Sequence, residues 1–107
     1  MFSFFNKNKS ESIEVNELDK HLSNIQLIDI REPYETQTGT LKGARKVPMN
    51  TLLNHPEQYL KKDQDYYIMC QSGMRSSRTV NLLSKLGYHV INVRGGISSY
   101  HGRQIQG

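Results

Sequence analysis

The sequence predicts an α/β fold: a largely parallel sheet with helices on both faces. Three observations lead there. Strand-like and helix-like segments alternate along the chain, the pattern of repeated β-α-β units. "IQLIDI" at 25–30 is an apolar run rich in β-branched residues that suits a strand buried on both faces, and "YYIMC" at 66–70 is a second strong strand candidate. Between the later strands, "SSRTVNLLSKLG" places Val80, Leu83 and Leu86 on one helical face, with Leu82 beside them. The 107 residues, 36% of them hydrophobic, suit one compact domain with a modest core. Residues 1–11 are read as an N-terminal tail and 12–107 as the domain.

Each element follows in turn. "SIEV" at 12–15 reads as a short strand. "NELDKHL" reads as a helix, with Asn16 as N-cap candidate and Leu18 and Leu22 one turn apart. After the strand at 25–30, Pro33 opens a short helix at its first turn. Gly39 and Gly43 read as turn residues. "KVPM" is one short strand cut off at Pro48. The segment 50–65 reads as two short helices separated at Pro56, followed by a polar turn. The strand at 66–70 comes next, then a helix beginning at or just after Arg75, with Gly87 as the residue past its end. "YHVINV" at 88–93 is another strand, Gly95 and Gly96 form a turn, and "ISSYHGRQ" reads as a short terminal helix.

Composition excludes several classes. One cysteine excludes an intramolecular disulfide and any Cys-x-x-Cys zinc or dithiol motif. A reduced, cytoplasmic setting fits a lone thiol. No stretch reaches the roughly 20 apolar residues that span a bilayer, so no membrane association is expected. The cluster Phe2, Phe4 and Phe5 lacks the basic start and cleavage site of a signal peptide and reads as a tail or an edge packing on the domain. The net charge of +4 and a pI near 9.3 favour small anions and acidic protein surfaces. The basic residues are scattered and no nucleic-acid motif accompanies them, so nucleic acid is not expected as a partner. His21, His55, His89 and His101 lack metal-ligand spacing and read as surface or packing residues.

The segment that carries chemistry is "CQSGMRS" at 70–76. Cys70 sits at the C-terminal end of a strand, where parallel α/β sheets place their ligand sites. The loop after it runs into a helix N-terminus, whose first backbone N–H groups have no intrahelical partners and can converge on an anion. Gly73 permits the tight path, and Arg75 adds a permanent positive charge. An unperturbed thiol of pKa about 8.5 is roughly 3% thiolate at pH 7. Lowering that pKa by about two units would make it mostly thiolate. A buried, inert cysteine is the plainer alternative. The Gly-x-Arg loop and the helix behind it favour a nucleophile.

Three stretches together resemble single-domain rhodanese-like sulfurtransferases over about residues 12–102: "LIDIREPYE", "CQSGMRS" and "LGYHVINVRGGISSY". The resemblance implies a five-stranded, mostly parallel sheet flanked by helices. It implies that Cys70 accepts a sulfane sulfur as a persulfide and passes it on, with no metal and no cofactor. It implies that the amides of Gln71, Ser72, Gly73, Met74 and Arg75 cradle the sulfur. Arg75, with Ser72, would hold a small anionic donor such as thiosulfate or a persulfide. The acceptor would be cyanide or a thiol, including a protein thiol. Ser76 and Ser77 are read as helix-start residues.

Departures from the pattern qualify this. Neutral Gln71 stands where the family often has a basic residue, which implies weak binding of a doubly charged donor. Gly39, Thr40 and Leu41 stand where the family has Gly-His-Ile, and the anchoring role of Thr40 is open. Tyr100 replaces a frequent tryptophan as a packing substitution. Asp29 and Arg31 are expected to fix neighbouring loops as an ion pair or hydrogen bond, since sulfur transfer to a thiolate needs no base at Asp29. Glu32 and Glu35 are expected to serve the turn and helix start. Arg94 is read as a solvated or paired surface residue, with the pocket mouth as the alternative.

Two other functions compete. Phosphatase or arsenate reductase loops have the form Cys-x5-Arg. Here four residues separate Cys70 from Arg75, and the smaller ring suits one sulfur atom better than a phosphate. No loop aspartate is placed as a leaving-group acid. The other is a persulfide carrier or regulatory module that hands sulfur only to a partner protein.

Overall fold

The computed structural model describes residues 11–107, so the Phe2, Phe4 and Phe5 cluster lies outside the described residues. Five strands form one parallel sheet: β1 (Glu11–Glu14), β2 (Leu27–Asp29), β4 (Arg45–Lys46), β5 (Asp65–Met69) and β6 (His89–Arg94), in the order β1-β6-β5-β2-β4. Three α-helices accompany them: α1 (Pro33–Thr36), α2 (Met49–Asn54) and α3 (Met74–Lys85). The expected α/β architecture is therefore the observed one.

Strand alternation splits the core in two. Tyr66, Ile68 and Cys70 point to the face covered by α2 and α3, where they meet Leu52, Val80, Leu83 and Val90. Met69 points to the other face and joins Val15, Leu18, Leu27, Leu41 and Val93. Fully burying one such Leu or Val side chain contributes about 1.5–3 kcal/mol. Both faces of the central strands are thus covered, which explains why "IQLIDI" reads as a near-continuous apolar run.

Several local expectations change. The "NELDKHL" segment is not an α-helix but two 3-10 turns, Val15–Lys20 and Leu22–Asn24. Asn16 does not cap it. Its Nδ2 instead donates to the Ser99 carbonyl at 3.0 Å, and its Oδ1 accepts from the His101 amide at 2.8 Å, tying the first turn to the chain's last third. The sheet strand placed on "KVPM" lies earlier, at Arg45–Lys46, because Val47 and Pro48 already lead into α2. Leu86 does not share the buried face of Val80 and Leu83. The helix stops at Lys85, and Leu86 is 53% exposed. Gly87, at φ 95°, then lets the Gly87 and Tyr88 amides return to the carbonyls of Ser84 and Leu83.

The terminal helix is also shorter than "ISSYHGRQ" suggests. Only a 3-10 turn forms at Ile97–Ser99. The chain then extends into β7 (Ile105–Gln106), which pairs antiparallel with β3 (Thr40–Leu41). Tyr100 anchors this return. Its hydroxyl donates to Asp19 at 2.8 Å and accepts from the Gln104 amide at 2.9 Å.

α1 forms as its sequence dictates. Pro33 occupies the first turn, and Glu32 and Glu35 make a reciprocal capping box, with the Glu32 amide donating to Glu35 Oε2 at 2.9 Å.

Candidate active site

Cys70 lies one residue beyond β5, at the C-terminal edge of the sheet, and is fully buried. Gly73 is the N-cap of α3, at φ 99° in the left-handed region that glycine tolerates. That turn reverses the loop over the sulfur. Two backbone groups then donate to Cys70 Sγ: the Gly73 amide at 3.1 Å and the Ser76 amide at 3.3 Å. The expected amide cradle was placed at residues 71–75. Gly73 belongs to it, whereas the second donor comes from Ser76, one residue further into the helix.

The loop is braced from behind. The Ile97 amide donates to the Cys70 carbonyl and the Ser98 amide to the Gln71 carbonyl, both at 3.0 Å. This close approach explains Gly96. A β-carbon there would lie 2.4 Å from the Gln71 carbonyl oxygen and 2.6 Å from that of Cys70.

Ser76 does more than start the helix. Its hydroxyl lies 3.4 Å from Cys70 Sγ, where it accepts from the thiol, and it hydrogen-bonds the carboxamide oxygen of Asn92 on β6. Ser76 is fully buried and Asn92 nearly so. The sequence reading gives Ser76 only a helix-start role and does not single out Asn92. The available signal is positional: two small polar residues at points where helix and strand face the core.

Arg75 turns from the loop toward α1. Its Nη1 and Nη2 donate to the two carboxylate oxygens of Glu35, each at 2.7 Å. The Arg75 hydrogen bonds hold the Glu35 carboxyl down at about 2, and Glu35 in turn raises the Arg75 guanidinium further above its ordinary value. Cys70 also feels the Arg75 charge. Glu35 thus joins the capping box to the cysteine loop, a link beyond its expected helix-start role.

Asp29 and Arg31 form a buried ion pair. Arg31 Nη2 donates to Asp29 Oδ2 at 2.8 Å, and its Nε lies 3.1 Å from both carboxylate oxygens. The Thr40 hydroxyl donates to the same Oδ2 at 2.6 Å, so Thr40 is a polar anchor despite replacing a histidine. Arg31 also donates to the Glu35 and Gly39 carbonyls and, at 3.2 Å, to Gln71 Oε1. Gln71 is therefore tied at its tip to a guanidinium rather than supplying a charge.

Ser72 and Met74 are exposed on the outer side of the loop. They border an open cleft of about 580 Å³ with Ser12, Ser77, Asn92 and Arg94. Arg94 is half exposed and pairs with Glu14 at 3.8 Å. The four histidines are all exposed, and none hydrogen-bonds the buried sulfur.

This arrangement is one sulfur at a strand end, under a six-residue loop, with helix-start amides on it. Residues 14–103 match the rhodanese-like domain family. The chain belongs to that family. A sulfurtransferase of Allochromatium vinosum is 35% identical over 102 residues, covering 85% of this chain and 94% of the relative. The Bacillus subtilis protein YqhL is 35% identical over 79 residues, 73% of this chain, and the match spans 62% of YqhL's length. The crystal structure of a rhodanese-like domain protein from Staphylococcus aureus superposes with a TM-score of 0.81 at 30% identity, covering 90% of this chain and 96% of that one. No helix among the described residues is long and apolar enough to cross a membrane.

Proposed function

We propose that this chain moves a sulfane sulfur from a small donor to a thiophilic acceptor through a persulfide on Cys70. The supporting observation is the pair of backbone N–H groups, of Gly73 and Ser76, aimed at Cys70 Sγ. Such donors hold negative charge on sulfur, the charge that the nucleophile carries before attack and regains after transfer.

The chemistry balances without a cofactor. The Cys70 thiolate attacks the outer sulfur of the donor. A new S–S bond forms at Cys70, and the donor's own S–S bond breaks, its electron pair leaving with sulfite or a thiolate. The acceptor, cyanide or a thiolate, then attacks the outer sulfur of the persulfide and releases the Cys70 thiolate. Arg75 supports the anionic sulfur by its nearby charge, and Ser72 and Met74 line the approach.

Intact mass after exposure to thiosulfate, glutathione persulfide and polysulfide tests this reading. A gain of one sulfur, lost in Cys70→Ser, is expected. Absence of that gain with every donor rejects it.

A second reading, a carrier that hands sulfur to a partner protein's thiol, draws on a different observation. The guanidiniums near the site are already compensated, Arg75 by Glu35 and Arg31 by Asp29. A free dianion such as thiosulfate finds little net positive charge there. Slow turnover of thiosulfate and cyanide, with efficient transfer from loaded protein to a protein thiol, selects this reading.

A further inference from the structure

The hydroxyl of Ser76 has one proton and more than one claimant. It can donate to the carboxamide oxygen of Asn92 or, at 3.2 Å, to the Gly73 carbonyl. When Cys70 carries its proton, the thiol can donate to the same hydroxyl oxygen, 3.4 Å away. Ser76 therefore acts as an acceptor toward sulfur while its own proton is held by Asn92. A thiolate, or the inner sulfur of a persulfide, carries no proton to give. Beyond the Gly73 and Ser76 amides, it gains a donor only in the opposite setting, in which the Ser76 hydroxyl leaves Asn92 and donates to sulfur.

We propose that Asn92 is a positioning residue for Cys70: its carboxamide oxygen holds the Ser76 hydroxyl in the setting that favours the protonated thiol. Ionisation or sulfur loading must break that hold. Cys70 and Ser76 are fully buried, so water does not stand in cheaply for the contact between the sulfur and the hydroxyl. They come from three places in the fold: the end of β5, the first turn of α3 and the middle of β6.

The charged groups around the sulfur do not set this preference. Arg75 is paired with Glu35, Arg31 with Asp29, and Arg94 with Glu14. None of them hydrogen-bonds Cys70 Sγ. The role rests on Cys70 being the working thiol, but it is measured on unloaded protein. Failure of persulfide formation and failure of the Asn92 role are therefore separate results.

The test is the pH dependence of Cys70 alkylation, which reports one site because the chain has one cysteine. Asn92→Leu, close in volume and without the acceptor oxygen, should lower the thiol pKa by about one unit, as the freed hydroxyl turns to the thiolate. The neutral Gly73 carbonyl is the weaker competitor for that proton. Ser76→Ala removes the hydroxyl both as acceptor and as donor, and so supplies the background for the second half of the test. In the Ser76→Ala background, Asn92→Leu should then shift nothing. If Asn92→Leu does not fold, Asn92→Val removes the same oxygen with a side chain suited to a strand. An unchanged or raised pKa in the folded Asn92 variant overturns the proposal. So does a downward shift that persists without the Ser76 hydroxyl.

Discussion

Arg75 and Glu35 stand forty residues apart in sequence and meet through two parallel hydrogen bonds of 2.7 Å. The pair ties the helix start after the cysteine loop to the capping box of α1. It keeps a positive charge beside Cys70 while leaving little of that charge free for solvent or ligand.

Replacing Arg75 with Ala should therefore raise the Cys70 thiol pKa and slow sulfur loading. Arg75→Lys keeps the charge and loses the fork. It should preserve most of the thiol pKa while losing part of the stability. The pair is partly exposed, so about 1 kcal/mol is the scale of that loss. Alkylation against pH and urea unfolding on both variants separate charge from geometry. A thiol pKa identical in wild type and Arg75→Ala would remove Arg75 from the sulfur's environment.

Glu35 should contribute a specific acid sensitivity. Its folded pKa, about 2, lies below its ordinary value of 4.5. A depressed carboxyl contributes stability that is complete above the unfolded value and lost as pH falls toward the folded one. Unfolding free energy should thus decline between about pH 4.5 and 2 more steeply in wild type than in Glu35→Gln. The variant should also be less stable at pH 7. Parallel stability curves for the two proteins would contradict this.

Cys70→Ser should fold like the wild type and carry no sulfur. Serine is close in size and can receive the Gly73 and Ser76 amides. Its hydroxyl does not ionise near neutral pH and forms no persulfide. Circular dichroism and intact mass on the same sample check both halves.

Gly96→Ala should destabilise the protein by about 2 kcal/mol or more. The new β-carbon would press on the backbone oxygens of Cys70 and Gln71, in a φ region that L residues disfavour. The loop itself must move, so sulfur loading should fall together with thermal stability. A variant with wild-type melting temperature and loading would show that the loop yields freely.

Asp29 and Thr40 should differ in cost. Thr40→Val removes one donor from a carboxylate still held by Arg31, a loss of about 1–2 kcal/mol. Asp29→Asn leaves the Arg31 guanidinium buried without its counter-charge, a loss of about 3–5 kcal/mol. Denaturant midpoints for the two variants should fall in that order.

Local signals in the sequence determined the layers of this protein and the place of its one cysteine. The β-branched run at 25–30, the apolar run at 66–70, the apolar face through Val80 and Leu83, and glycines at turn positions act within a few residues of one another. The spacing of Cys70, Gly73 and Arg75 is likewise local, so the loop at the strand end was legible. The 3-10 turns at Val15–Lys20 were not. Asn16 looks like a cap locally, yet its side chain is claimed by Ser99 and His101 across the fold.

Only the tertiary structure decided what surrounds the sulfur. The order β1-β6-β5-β2-β4 sets β6 beside β5 and so brings Asn92 to Ser76 and Cys70. It sets β2 on the other side of β5 and so brings Glu35 to Arg75 and Arg31 to Gln71. The pairing of β3 with β7 follows the same logic, joining residues near 40 to residues near 105. Side-chain periodicity records which face of an element is buried. It does not record which distant element arrives there, and a hydrogen bond or ion pair depends on that arrival to within a few tenths of an ångström.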